Sequence, residues 1–158
     1  MHDLATTFLI FAARYLFVAP IVILAAFFLV QPWPAKKRMA RFAMPALALT
    51  YVAGVVGNHL YVDPRPFVVG HFTSLVPHAP DNGFPSDHTL LVSALAVIAC
   101  YWNQTLGGLL VVIALLVAIA RVYVGLHHPI DVIGSMAIAT IMTSAVSIAL
   151  AYGRKDLI

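Results

Sequence analysis

Five long apolar stretches constrain the fold of this sequence more than any other feature. They cover residues 6–30, 42–60, 87–102, 106–124 and 130–152, and polar or proline-containing segments separate them. A helix needs about 20 mostly apolar residues to cross the hydrocarbon core of a bilayer. We therefore expect an all-α protein, a polytopic membrane helix bundle with about five transmembrane helices, in which residues 1–158 form a single domain.

The composition excludes several other classes of protein. Hydrophobic residues make up 62% of the 158 residues and charged residues only 9%, whereas soluble domains carry about 25% charged residues. A soluble domain of this size cannot bury so much apolar surface, which excludes a soluble enzyme, a disordered chain and a coiled coil. The single cysteine, Cys100, excludes a disulfide scaffold. The net charge of +3, without a suitable basic run, gives no reason to expect a nucleic-acid partner.

The basic residues predict how the chain is oriented in the membrane. Most of them lie between the first two apolar stretches or after the fifth, at Lys36, Lys37, Arg38, Arg41, Arg154 and Lys155. With five spans both places fall on the same side, and Lys and Arg in short loops mark the cytoplasmic side. The loops 61–86 and 125–129 are therefore expected to face outward.

These two outward loops, with the helix ends beside them, hold most of the ionisable side chains. They are His59, Asp63, Arg65, His71, His78, Asp81, Asp87, His88, Arg121, His127, His128 and Asp131. Loops that only had to be soluble would use Ser, Lys and Glu, whereas His, Arg and Asp serve acid–base chemistry and anion binding. Charged groups beside a bilayer are costly and tend to be functional.

The first of three short segments that suggest a phosphate site is Asp63-Pro64-Arg65-Pro66-Phe67. Two prolines hold Arg65 in a stiff, extended backbone. A fixed guanidinium suits a bidentate grip on a phosphoryl group. The alternative is an interfacial arginine that pairs with lipid headgroups.

The second segment is Phe84-Pro85-Ser86-Asp87-His88-Thr89. Ser86 is a good N-cap for the third span, and the free N–H groups of a helix start attract anions. His88 would then lie in the first turn, beside the anion. The alternative is simple capping by Ser86 and Asp87.

The third segment runs from Arg121 to Asp131 and contains His127-His128-Pro129. Pro129 suits the first position of the fifth span, which places Asp131 within reach of an imidazole nitrogen. Such a hydrogen bond fixes the tautomer and leaves the other nitrogen nucleophilic. The alternative is that Asp131 only complements the helix dipole. Spacing alone does not separate His127 from His128.

Together the three segments resemble the signature of the type 2 phosphatidic acid phosphatase superfamily of lipid phosphate phosphatases. The family pattern is Lys-x6-Arg-Pro, then Pro-Ser-Gly-His, then Ser-Arg-x5-His-x3-Asp. The matching residues are Arg65-Pro66, Pro85-Ser86-Asp87-His88, and Arg121 with His127 and Asp131. The stretch from Arg65 to His88 looks most like the bacterial undecaprenyl-diphosphate phosphatases of the bacitracin-resistance type.

This sequence departs from the family pattern at three positions. Asn58 stands in place of Lys, Asp87 in place of Gly, and Ala120 in place of Ser. The loss of the lysine removes one positive contact to phosphate, for which His59, His71 or His78 would be partial replacements. Asp87 would repel an anion unless it faces away or is paired.

The resemblance implies a two-step hydrolysis without metal or cofactor in a bacterial plasma membrane, at a site on the outer face. His127 would form a phosphohistidine, Asp131 would orient it, and His88 would act as the general acid and base. The implied phosphate-binding residues are Arg65, Arg121, Ser86, Asp87 and Asn58, with His59 and His78 as accessories. The scattered outer carboxylates also lack the paired cluster that hard cations need.

Several functions remain open from the sequence. The substrate is expected to be a polyprenyl diphosphate such as undecaprenyl diphosphate, or another lipid phosphate: phosphatidylglycerophosphate, phosphatidic acid or lipid A phosphate. A transport protein and a non-catalytic lipid-binding protein are the alternatives outside enzymes. A transporter would carry ionisable groups at mid-depth, and the second to fifth stretches have none there.

Overall fold

The computed structural model describes residues 3–152, and every regular element in that range is a helix. Helices α1 (Leu4–Tyr15) and α2 (Val18–Leu29) form the first apolar segment and meet at an angle of 54°. The prediction of one continuous helix over 6–30 is therefore wrong. Pro20 lacks the N–H that would bond to the carbonyl of Leu16, and Ala19 donates to that carbonyl instead.

Helix α3 (Trp33–Leu60) starts nine residues earlier than the predicted 42 and includes the basic cluster of residues 36–41. Pro32 is its N-cap and Pro34 lies in its first turn, where the missing N–H of proline has no cost. The basic side chains therefore extend from a helix rather than from a loop. Arg154 and Lys155, the other part of the topology signal, lie outside the described residues.

The three remaining long helices follow the sequence predictions closely, whereas a short helix before them was not predicted. This short helix, α4 (Pro66–Val69), interrupts the long loop, and α5 (Asp87–Trp102), α6 (Gln104–Tyr123) and α7 (Pro129–Tyr152) follow. Ser86 occupies the N-cap position of α5, and Pro129 is the first residue of α7, as predicted. Asn103 makes the tight turn between α5 and α6, where its side chain accepts from Leu106 N–H at 2.9 Å.

Three helices, α3, α6 and α7, are long and apolar enough to cross a bilayer, and α1 with α2 gives a bent fourth candidate. Helix α5 is apolar but has only 16 residues. The protein is a multi-pass membrane protein, and the count of about five spans stays a prediction.

Helix α5 lies at the centre of the bundle and packs against α2, α3, α6 and α7. It is lined with small residues, among them the fully buried Ala94 and Ala99, which let helices approach closely in a membrane. Because α5 and α7 begin at the end of the bundle where α6 finishes, the long segment before α5 and the connection between α6 and α7 meet there. The candidate site lies at that end.

Candidate active site

His127 is the centre of the site, and it is 2% exposed. It lies in the short connection between α6 and α7, where Gly125 has a φ of +80°. Only glycine adopts such a φ without strain, and a Cβ at Gly125 would also meet the Phe72 ring at 2.7 Å. This sharp turn places His127 under the loop that contains residues 81–84.

The hydrogen bonds of His127 define its tautomer. Its Nδ1 lies 2.9 Å from the carbonyl oxygen of Gly83 and 3.4 Å from Oδ2 of Asp131. Both oxygens can only accept, so Nδ1 must carry the proton. In the neutral ring the lone pair is then on Nε2.

Two arginines point at that lone pair. Nη1 of Arg65 lies 3.3 Å and Nη2 of Arg121 lies 3.1 Å from Nε2 of His127. Both arginine residues are buried, and neither is more than 5% exposed. The predicted nucleophile therefore faces two buried cations, an arrangement that suits a phosphoryl group with its negative oxygens.

Arg65 is held on three sides. Its Nε donates to Oδ1 of Asp81 at 2.6 Å, Nη1 donates to the carbonyl of Leu126 at 3.0 Å, and Nη2 faces the carbonyl of Asn82 at 3.4 Å. Burial raises the pKa of Asp81, but the hydrogen bond and the charge of Arg65 outweigh this and hold its pKa below the ordinary value. Asp81 is therefore a carboxylate when it holds Arg65.

Arg121 is less fully satisfied. Its Nη1 donates to the carbonyl of Ala13 in α1 at 3.4 Å, and its Nε has no hydrogen-bond partner. A buried cationic donor without a partner is costly. An anion at this site would supply the missing acceptor.

The environment of His127 favours its neutral form. Burial lowers its pKa, and the charges of Arg121 and Arg65 lower it further, although the hydrogen bond to Asp131 acts in the opposite direction. The lone pair on Nε2 therefore stays unprotonated at pH values below those at which an ordinary histidine takes up its second proton.

Asp131 lies in the first turn of α7, within reach of His127 as the spacing predicted, and it is fully buried. Its Oδ2 accepts from the backbone N–H of His128 at 2.9 Å, in addition to facing His127. The geometry also separates the two histidines. Nδ1 of His128 lies 3.2 Å from Oδ1 of Asp63, and the hydrogen bonds and ion pairs of His128 among the described residues include no arginine.

Ser86 and His88 are placed by the start of α5. Ser86 is fully buried, and its Oγ accepts from Thr89 rather than capping the helix. Its carbonyl accepts from Oγ of Ser135, whose hydroxyl also faces the Asp131 carbonyl. The His88 ring packs edge-on against the Phe17 ring, with the two ring centroids 4.5 Å apart.

The other predicted residues lie around the rim. Asn58 donates to the carbonyl of Phe84 at 2.8 Å, and it shares with His59 and Asp87 a cavity of about 330 Å³ between α3 and α5. His59 Nδ1 lies 2.7 Å from the carbonyl of Val55. His78 lies 3.6 Å from Oδ1 of Asp81. His71 has a positive φ of 50° in the long loop, and phosphate binding by these rim residues stays a prediction.

Asn82 was missed by the sequence analysis, although it joins the loop to α3. Its Oδ1 accepts from the N–H groups of Asp63 and Phe84, and its Nδ2 donates to the carbonyls of Asn58 and Tyr61. The Asn82-Gly83 pair was an available signal, because Asn followed by Gly marks a tight turn.

The expectation of scattered carboxylates is also corrected by the structure. Asp63 and Asp131 approach one another, with His128 beside them. Burial raises the pKa of Asp63 and the Asp131 carboxylate raises it further, while His128 opposes both effects. Asp63 is distant in sequence from His128 and Asp131 and belongs to a different segment, so the pattern alone did not bring the two carboxylates together.

The chain is similar to known proteins in sequence and in fold. The family model of the PAP2 superfamily matches residues 40–155. The chain is 36% identical over 145 residues to the undecaprenyl-diphosphatase BcrC of Bacillus subtilis. This alignment covers 89% of this chain and 72% of BcrC. The chain is 33% identical to the putative undecaprenyl-diphosphatase YbjG of Escherichia coli, over 65% of this chain and 52% of that one. The fold is similar to the crystal structure of Aquifex aeolicus LpxE, with a TM-score of 0.74, 21% identity, and coverage of 92% and 87% of the two chains.

Proposed function

This chain belongs to the PAP2 superfamily, and on that premise we propose that it hydrolyses undecaprenyl diphosphate to undecaprenyl phosphate and phosphate through a phosphohistidine. The observation that carries the proposal is the position of Nε2 of His127 between the guanidinium groups of Arg65 and Arg121. The names of BcrC and YbjG support this choice of lipid. Such a reaction would recycle the carrier lipid of cell-wall synthesis and would underlie resistance to bacitracin.

In the first step, Nε2 of His127 attacks the terminal phosphorus. A bond forms between nitrogen and phosphorus, and the bond from phosphorus to the bridging oxygen breaks. His88 donates a proton to the departing oxygen. The proton on Nδ1 stays in place, and the Gly83 carbonyl with the Asp131 carboxylate stabilises the positive charge that develops on the ring.

In the second step, His88 takes a proton from a water molecule as that water attacks the phosphohistidine. The bond between nitrogen and phosphorus breaks, and its electron pair returns to Nε2. Phosphate leaves, and both histidines regain their starting protonation states. Neither step needs a metal or an organic cofactor.

Charge that accumulates on the phosphoryl oxygens is balanced by fixed groups. Arg65 and Arg121 supply two cations, and the Nε of Arg121 has an unused donor. Ser86 and the free N–H groups at the start of α5 supply neutral donors. We place Asn58 and Asp87 at the edge of this anion site, with His59 and His78 as accessory residues.

The site also fits a lipid substrate. The described helices are apolar, and the polar residues of the site collect at one end of the bundle. A polyprenyl tail would stay in the bilayer while its diphosphate reaches His127. We propose that this end faces the outside of the bacterial plasma membrane and that residues 1–158 act as one domain, since α1 itself contacts Arg121.

Phosphate release from purified protein in EDTA tests the proposal. The substrates are undecaprenyl diphosphate, phosphatidylglycerophosphate, phosphatidic acid and lipid A phosphate, with His127→Ala as the inactive control. We expect the highest kcat/KM with undecaprenyl diphosphate. A higher kcat/KM with another lipid would support the proposed reaction but reject undecaprenyl diphosphate as the preferred substrate. Equal rates for the wild type and His127→Ala would reject both the reaction and the substrate.

A further inference from the structure

Behind the His127–Asp131 pair lies a second polar cluster, formed by Asp63, His128 and Asp131. One ligand atom from each residue, a carboxylate oxygen or a ring nitrogen, lies within 4.8 Å of the other two. Asp63 comes from the segment after α3, His128 immediately precedes α7, and Asp131 lies in the first turn of α7. The hydrolysis described above uses Asp131 alone among them.

Two buried atoms of this cluster lack hydrogen-bond partners. Oδ1 of Asp131 has none, and the Asp131 residue is 0% exposed. Nδ1 of His128 is buried and also has none, although Oδ1 of Asp63 is 3.2 Å away. Buried polar atoms without partners are rare, and an ion or water is a common explanation.

The donor set is suited to a transition metal ion. One imidazole nitrogen and two carboxylate oxygens are ligands that Zn²⁺ accepts, with a solvent molecule as the fourth. The two carboxylates place negative charge in a partly buried site, and this charge favours a cation. The Oδ2 of Asp131 can keep its bonds to His127 and His128 while its other oxygen binds metal.

We propose that Asp63, His128 and Asp131 form an inhibitory binding site for a divalent transition metal ion of the zinc type. A cation on Asp131 withdraws the negative charge that stabilises the His127 ring during phosphoryl transfer. Bound zinc therefore slows the first chemical step without contacting substrate. The binding site stands apart from the proposed function, whereas the inhibition rests on it.

Zinc binding is measured directly by calorimetry on the full-length protein, purified in detergent and freed of metal. We expect one zinc ion per chain in the wild type. Asp63→Asn keeps the shape but replaces a good ligand with a poor one, and His128→Ala removes the nitrogen. Each variant should weaken binding at least about tenfold, since even residues outside the ligand set change metal affinity by 10–100-fold.

His71→Ala and His78→Ala are matched controls, because both remove loop histidines outside the cluster. They should bind zinc as the wild type does. If they weaken binding as much as His128→Ala does, the zinc sits on surface histidines and the proposal is wrong. Equal binding by the wild type and Asp63→Asn, or no binding by the wild type, would overturn it too and leave water as the partner of Asp131.

The second readout is inhibition of phosphate release by zinc. The zinc concentration for half-inhibition should rise at least about tenfold in Asp63→Asn, relative to the uninhibited rate of that variant. Inhibition that is the same in both proteins means that zinc acts on the diphosphate substrate, which rejects the inhibitory role. If no lipid is hydrolysed at all, the proposed function fails while the calorimetry still decides the site.

Discussion

Nδ1 of His127 lies 2.9 Å from the carbonyl oxygen of Gly83. A backbone carbonyl cannot change its protonation state, so this contact fixes the tautomer more firmly than a carboxylate alone would. We expect Nδ1 to be protonated and Nε2 to be unprotonated in the resting protein. Nitrogen NMR of the protein labelled in histidine distinguishes the two nitrogens, and loss of the signal in His127→Ala assigns it.

The same NMR experiment tests the acid–base behaviour of His127. Burial and two arginines lower the pKa of His127. At a pH of about 6.5, where an ordinary histidine is half protonated, the His127 ring should therefore be mostly neutral and take a second proton only at lower pH. The lone pair on Nε2 is then free at pH ~6.5 and above. A second proton that appears above pH ~6.5 would contradict the charge environment described here.

Replacing Gly83 with Ala should lower kcat strongly. An added Cβ would lie 2.9 Å from both Oδ2 of Asp131 and the carbonyl of Asp63, so the loop and the Gly83 carbonyl must move away from His127. Gly108→Ala is the matched control, because a Cβ there meets nothing within 4 Å and alanine stabilises a helix by about 0.5–1 kcal/mol relative to glycine. Equal activity of the two variants would show that the carbonyl does not matter.

The two adjacent histidines should differ sharply in activity. His127→Ala removes the proposed nucleophile, and we expect a loss on the order of 10⁴-fold or more. His128→Ala should keep most of the activity, since its ring faces Asp63 rather than the arginines. Single-turnover assays on folded protein measure both, and an inactive His128 variant with an active His127 variant would reverse the assignment.

His88→Ala should be sensitive to the leaving group. The loss with a lipid diphosphate is expected to be about 10²–10⁴-fold, the usual contribution of a general acid or base. An activated phosphate ester needs no proton, so phosphohistidine should form again and then hydrolyse slowly. Labelled enzyme trapped at alkaline pH measures this. A folded variant that traps no label with any substrate would instead indicate a phosphate-binding role for His88.

The proposed orientation is tested by labelling cysteines in intact cells with an impermeant reagent. Cys100 is first replaced by alanine, and Lys37→Cys and Thr73→Cys are then introduced at exposed positions. We expect labelling at position 73 and none at position 37, because the basic cluster marks the cytoplasmic side. The opposite pattern would place the site inside the cell.

The sequence predicted the parts of this site that depend on local spacing. Ser86 at the start of α5, Pro129 at the start of α7, and the four-residue step from His127 to Asp131 follow from helix geometry. Spacing alone left the choice between His127 and His128 to the family motif. Only the fold shows which imidazole reaches the arginines, because that depends on the turn at Gly125.

Contacts between residues that are distant in the chain could not be predicted from the sequence. The bond from Asp81 to Arg65 and the approach of Asp63 to Asp131 depend on how the long loop folds back over α7. The bend between α1 and α2 was also missed, although Pro20 was visible. A proline in an apolar run has several outcomes in a membrane, and neighbouring helices decide among them.

The bend between α1 and α2 has a consequence for how the protein can be taken apart. These helices precede residue 40, where the family model begins, yet Ala13 holds Arg121 and Phe17 packs against His88. The part of the chain that the family model matches is thus smaller than the part that surrounds the candidate site. A chimaera that keeps every motif residue but exchanges the first 30 residues for an ordinary membrane anchor would inherit the reaction's chemical groups without the scaffold that aims them.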